Sequence, residues 1–235
     1  MPAPLPPAGP PASTIAEVIG RMQAIDAALP ATDGLACFNR MYLEVTQQVE
    51  AMVGQNEFQD PAWTARLDVV FANIYFDAVD ALVTTPNSLP AAWKPLLAAR
   101  DTAGIEPIQF ALAGMNAHIN HDLPLAVAET CTELVTAPAA GSHHSDYQKV
   151  DVLLDAAEQS IRQGFENRPE LAVDNHLQAV TNLMCSWSMN SARDAAWDMS
   201  LALWAVRNVS VARALLLGSL ARTVGMASRL LLVAV

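Results

Sequence analysis

Apolar residues recur along the chain every three or four positions, with polar positions between them, and nowhere alternate over a strand-length run. The stripe Val150, Leu153, Leu154, Ala157 and Ile161 is one example of an amphipathic helix. Helix starts are marked too, and Asp33 stands as a cap before the helix from Gly34. Thr14-x-x-Glu17 has the form of a capping box, and Asp60-Pro61 and Glu106-Pro107 place a cap before a first-turn proline. These signals predict helices over 14–28, 34–53 and 62–83, and a short one within 91–100. A central helix follows from 107, then helices over 124–135, 147–164, 171–206 (divided near Asn190 or Ser191) and 209–232. The last is expected to close the bundle as a buried helix with one charged edge of Arg213, Arg222 and Arg229. The predicted fold is all-α: one bundle of roughly seven to nine helices over 13–235, after a Pro- and Ala-rich leader at 1–12 expected to be disordered.

Polar residues inside an apolar helix need partners or a ligand, because burying them alone is costly. The segment 108–124 begins apolar nearly all round, then places Asn116, His118, Asn120, His121 and Asp122 within seven positions. At about 100° per residue His118 and Asp122 share one face, with His121 beside them. Ala111 and Gly114 lie earlier on that face and leave room for an ion, a ligand or a close neighbouring helix. Asn116 and Asn120 fall on the opposite face with Gln109. A His-x-x-x-Asp pair offers an imidazole nitrogen and a carboxylate oxygen to a divalent metal such as zinc. The competing reading makes Asp122 the cap of a new helix whose first turn holds Pro124, with the histidine bonded to backbone.

Two further clusters bear on chemistry. Asn73, Asp77 and Asp80 share one face of the helix over 62–83, which also holds Tyr75 and Arg66. They either complete a metal shell begun by His118 and Asp122 or pair with arginines from elsewhere. Arg193, Trp197 and Trp204 fall in one sector of the helix over 171–206, as a pocket for an anion or an extended apolar substrate, or as a core seam. His143, His144 and Asp146 stand at a helix entry after the loop at 137–142, as ligands or as an idle pair beside a cap.

Composition narrows the classes. Hydrophobic residues make up 52%, yet no uninterrupted apolar run of about 20 residues occurs, so no membrane span is expected. The net charge of −11 argues against non-specific nucleic-acid binding. Residues 1–11 carry no positive charge and no apolar core, unlike a secretory signal. Cys37, Cys131 and Cys185 form neither a disulfide framework nor a zinc pattern, which fits a cytoplasmic protein.

On Phe110-Ala-Leu-Ala-Gly-Met-Asn-Ala-His-Ile-Asn-His-Asp122-Leu, with Arg193-Asp-Ala-Ala-Trp197 as a weaker second signature, the chain from about residue 14 resembles an uncharacterised, mainly actinobacterial all-helical family. That resemblance implies a fold and no activity. Locally, 114–124 resembles the central helix of zinc-dependent phospholipase C and its nuclease relatives, with His118, Asp122 and Pro124 matching. The next histidine of that pattern and its second His-x-x-x-Glu helix have no counterpart, so the resemblance implies one or two metals rather than a three-zinc cluster.

The first expectation is therefore a metal-dependent hydrolase of a phosphoester or similar polar ester. His118, Asp122, Asp77 and Asp80 would hold the metal, His121 would assist, and Arg193 would hold an anionic group. The alternative enzyme is a helical cyclase or isomerase for an apolar metabolite. There His118 and Asp122 would act as an acid/base pair, in a pocket drawn from Asn73, Tyr75, Asn116, Asn120, Trp197 and Trp204. The third reading is a non-catalytic ligand-binding helical module. Each takes a small-molecule ligand.

Overall fold

The structure, a computed structural model, describes residues 3–154 and 188–234. Among them helices pack together and no strand occurs, so the all-α class holds. The elements are α1 (Ile15–Ala28), α2 (Gly34–Gly54), α3 (Pro61–Thr84), a 3-10 turn (Pro86–Ser88) and α4 (Lys94–Ala99). Then come α5 (Pro107–Ala117), a π-helical turn (His118–Asp122), α6 (Leu123–Glu133), α7 (His143–Lys149), α8 (Met189–Ala205) and α9 (Ser210–Leu231). The marked starts act as read. Thr14, Asp33 and Asp60 side chains accept backbone N–H groups of their helices, and Glu106 and Gln109 close a reciprocal capping box. The first part of the predicted helix over 171–206, up to 187 and with Cys185, lies outside the described residues, as does the second half of the one over 147–164.

The centre of the bundle is one long rod, α5 to α6. The sequence allowed a break at Asp122, with that residue capping a new helix at Pro124. Asp122 is instead helical (φ −79, ψ −37), and its side chain caps nothing. Proline at 124 has no N–H for the carbonyl four residues back and crowds it. The π turn accommodates this: the Leu123 N–H bonds the His118 carbonyl, five residues back. Single π turns inside α-helices concentrate at functional sites, and this one carries both histidines and the aspartate.

The rod is enclosed. α5 packs against α2 on one side and α9 on the other, while α6 packs against α3 and α8. Phe110 to Met115 and Ala117 are buried, as the apolar pattern required. The small residue Gly114 makes room for a neighbouring helix rather than an ion: a Cβ there would stand 2.4 Å from Phe38 Cγ of α2.

The opposite polar face fastens α9. Gln109 Nε2 donates to the carbonyls of Leu231 (2.7 Å) and Val233 (3.0 Å). Asn116 Nδ2 donates to Val224 O (3.0 Å) and Ser228 Oγ (2.9 Å), and Asn120 Nδ2 to Asn116 Oδ1 (3.0 Å). Asn116 and Asn120, expected in a substrate pocket, are therefore clamps for a helix. A Cβ on Gly225 would lie 2.3 Å from the Ala91 carbonyl, so α9 sits close against the chain before α4.

One expectation needs correction, and the leader makes contacts of its own. The leader has no regular secondary structure over 3–12, yet it is pinned to the bundle. Ala12 N and O bond the Asn73 side chain at 2.8 and 2.9 Å, and the Arg100 guanidinium donates to Ala3 O. The closing helix α9 is not buried: Val211, Leu215, Met226 and Leu230 are each more than half exposed. Sequence hydropathy signals burial only when another element covers the face, and none of the described elements covers this one.

Candidate functional site: a buried histidine–aspartate centre

Asp122 is fully buried and accepts three hydrogen bonds. His121 Nδ1 lies 2.6 Å from Oδ1; His118 Nδ1 and Trp93 Nε1 lie 3.1 and 2.9 Å from Oδ2. An ionised carboxylate only accepts, so both imidazoles donate to it from Nδ1, and a neutral His118 ring then keeps a lone pair on Nε2. Burial pushes the Asp122 carboxyl up, but the hydrogen bonds from His118 and His121 lead the effects that outweigh it and hold it below the usual carboxylate range. Burial dominates at His118 and lowers its pKa in spite of Asp122, so the ring is neutral at pH 7.

The His118 ring is held in an aromatic box. Phe71 of α3 stacks on it at 3.6 Å and 7°. Tyr42 and Phe38, one turn apart on α2, meet it edge-on at 4.3 and 5.5 Å. The ring orientation is fixed by Asp122 on one edge and these faces, which leaves Nε2 buried and without a hydrogen-bond partner among the described residues.

Beside it lies a cavity of about 90 Å³, lined mostly by apolar side chains, among them Met41, Val45, Leu67, Phe71, Met115 and Val150. Met41, Val45, Phe71 and Val150 keep part of their surface exposed. Tyr42, Asp68 and His118 also line it, and each offers a buried polar atom without a hydrogen-bond partner among the described residues: Tyr42 Oη, Asp68 Oδ2 and His118 Nε2. Native interiors seldom leave such atoms unbonded, so three of them around one cavity mark it as a candidate site. Burial, then the charge of Glu50, raises the Asp68 carboxyl to about 7. The Tyr42 hydroxyl is pushed well above its usual value by burial and then by the charges of Asp68 and Asp122, so it stays a neutral donor.

The predicted second half of a metal shell is elsewhere. On α3, Asp68, Phe71 and Tyr75 point one way, and Asn73, Asp77 and Asp80 the other, by helical geometry. Asp80 is bound by both oxygens to Arg21 Nη2 at 2.6 Å, Asp77 is exposed, and Asn73 clasps Ala12. These three do not join His118 and Asp122. Among the described residues, no three His, Cys, Asp or Glu side chains are gathered as a metal site.

The other candidates are distributed as follows. Tyr75 donates its hydroxyl to Asn39 Oδ1 (3.1 Å) within the core. Arg193 reaches the rim of the cavity but is committed to Asp151 (2.5 Å), the Tyr147 carbonyl and the Tyr147 ring (4.0 Å), so it does not offer a free anion site. Trp197 packs on Tyr147 (4.9 Å) and His144 (4.6 Å) as a core seam, and Trp204 lies half-buried under Arg207 (4.1 Å). His143 stacks on Trp63 at 4.4 Å and 8°, and Asp146 accepts the N–H groups of Gln59 and Asp60, so this pair ties the α7 entry to α3.

Tyr42, Asp68 and Trp93 went unread in the sequence. Asp68 carried a signal, because it shares the apolar α3 face with Leu67, Phe71 and Tyr75. Tyr42 follows the Phe38, Val45, Val49 stripe of α2 in the same way. Trp93, in an irregular Pro-rich segment, carried none.

An all-helical protein whose central rod presents a histidine–aspartate centre to an apolar cavity is the class that fold and site define. The chain belongs to a family of unknown function (DUF5995), whose profile matches residues 15–234. No curated protein and no solved structure matches it.

Proposed function

We propose that the protein is an acid/base enzyme that shifts a proton on a small apolar substrate, an isomerase or cyclase. The observation that carries this is the His118 Nε2 lone pair, fixed by Asp122 and unpartnered among the described residues, in the wall of an apolar cavity that is also lined by a second proton-bearing group, Asp68. His118 Nε2 takes a proton from the substrate, and Asp122 stabilises the imidazolium that forms. Asp68, with its carboxyl at about 7, or the Tyr42 hydroxyl returns a proton at another atom of the same molecule, and the exchange balances without a co-reactant. The two groups are set apart by environment, one neutral base and one raised acid, which is how one site runs both halves of a proton shift.

Size bounds the substrate. A cavity of about 150 Å³ takes benzene, so about 90 Å³ takes an apolar group of roughly four heavy atoms. Longer substrates would place only their reacting end inside and lay the rest along Met41, Val45 and Val150.

The test is exchange of α-protons of small cyclic ketones and enones in D₂O, followed by NMR in the presence of a chelator. Wild-type protein is expected to speed exchange, His118→Gln to abolish it, and Asp68→Asn to alter its pH profile. Equal rates for wild type and His118→Gln overturn the reading. A phosphodiesterase activity that appears only with added zinc, and vanishes in His118→Gln, would put the hydrolase in its place.

A further inference from the structure

We infer that the exposed face of α9 docks on an anionic lipid bilayer, with the helix lying along the surface. This stands apart from the cavity and rests on different observations. On a helical wheel for Ser210–Leu231, Ala221, Val224, Gly225, Ser228 and Leu231 form the buried arc. Val211, Leu215, Met226 and Leu230 fall on the other side, with exposures of 69, 67, 59 and 71%. Arg222 and Arg229 share that exposed arc, and among the described residues neither pairs with a carboxylate. An apolar stripe edged by arginine is the pattern of an interfacial amphipathic helix.

The charge distribution names the partner. All 24 acidic residues of this strongly acidic chain lie at or before Asp198, whereas Arg207, Arg213, Arg222 and Arg229 follow it. The end of the chain is thus the one extended region with basic and no acidic side chains. An anionic surface attracts it and repels the remainder, which orients the molecule with α9 toward the lipid. Half-buried Trp204, capped by Arg207, stands just before α9, where an indole favours the interfacial layer.

A surface position fits better than a span. By length and a mean hydropathy of 1.2, α9 is long and apolar enough to cross a membrane. Its C-terminal half, however, is held to the bundle by Gln109, Asn116 and the close contact at Gly225. A crossing would tear away those bonds and bury three arginines.

Co-sedimentation of the full chain with phosphatidylcholine vesicles containing about 30 mol% phosphatidylglycerol tests this. Binding is expected at 0.1 M salt and a loss of most of it at 1 M salt, or with phosphatidylcholine alone. Arg222→Gln with Arg229→Gln should lower binding by about twenty-five-fold, at about fivefold per arginine. The double Arg→Lys variant should keep most of it. Leu215→Asp with Met226→Asp should remove binding with an unchanged helical spectrum, since both positions are exposed. Three results overturn the inference: no binding to the anionic vesicles, retention of the protein in vesicles after alkaline carbonate washing, or a dimer in solution that the Leu215/Met226 variant dissolves.

Discussion

Asp68→Asn tests whether the cavity holds an acid kept there at the expense of stability. Asp68 is 9% exposed and its Oδ2 has no hydrogen-bond partner among the described residues. Its carboxyl stands at about 7 in the fold against an ordinary 3.8. Between those values the folded state holds a proton that the unfolded chain has lost, so stability falls as pH rises through that window. Above pH 7 the full penalty applies: a shift of about three pH units at about 1.4 kcal/mol each comes to about 4 kcal/mol. Asparagine keeps the shape and cannot ionise. The variant is therefore expected to be more stable than wild type by about 4 kcal/mol at pH 8, and equal to it near pH 4. Urea unfolding at pH 4.5, 6 and 8 measures this as a midpoint difference that opens with pH. A variant that is less stable than wild type at pH 8, or a difference that does not change with pH, would refute the burial argument and with it the role of Asp68 as the raised acid.

Asp122→Ala leaves the Nδ1–H groups of His118 and His121 and the Trp93 indole N–H without an acceptor in the core, and is expected to cost about 3–5 kcal/mol at pH 7. Because the folded Asp122 pKa is depressed, its contribution is complete above the ordinary value of 3.8 and is lost as pH falls through the folded value. The gap between wild type and Asp122→Asn should therefore close below about pH 4, as read by denaturation at pH 7 and pH 3. Gly114→Ala drives a methyl to 2.4 Å from a Phe38 ring that is already wedged among Tyr75, Trp93 and His118, and should cost about 3 kcal/mol in thermal or urea unfolding. Gly20→Ala in α1 is the control: nothing lies within 4 Å of its Cβ, and it should stabilise by about 0.5–1 kcal/mol.

Local chemistry fixed much of the fold in advance. Caps and first-turn prolines act over a few residues, and Thr14, Asp33, Asp60 and the Glu106–Gln109 box work in the structure as their spacing requires. The His118–Asp122 pair was legible for the same reason, since four residues along one helix bring two side chains together, and so was the buried character of 108–119. What sequence periodicity cannot state is which helix face meets which. The acidic face of α3 reads as a natural complement to His118, but α3 turns Asp68 and Phe71 toward that ring and gives Asp80 to Arg21 of α1. Asn116 and Asn120 look like pocket residues until α9 supplies carbonyls for them. Trp93 reaches Asp122 from a Pro-rich connection 29 residues away, a distance over which periodicity carries no information. The exposure of α9 reversed its hydropathy for the same reason: burial belongs to pairs of surfaces, and only the tertiary arrangement decides which surfaces find a partner.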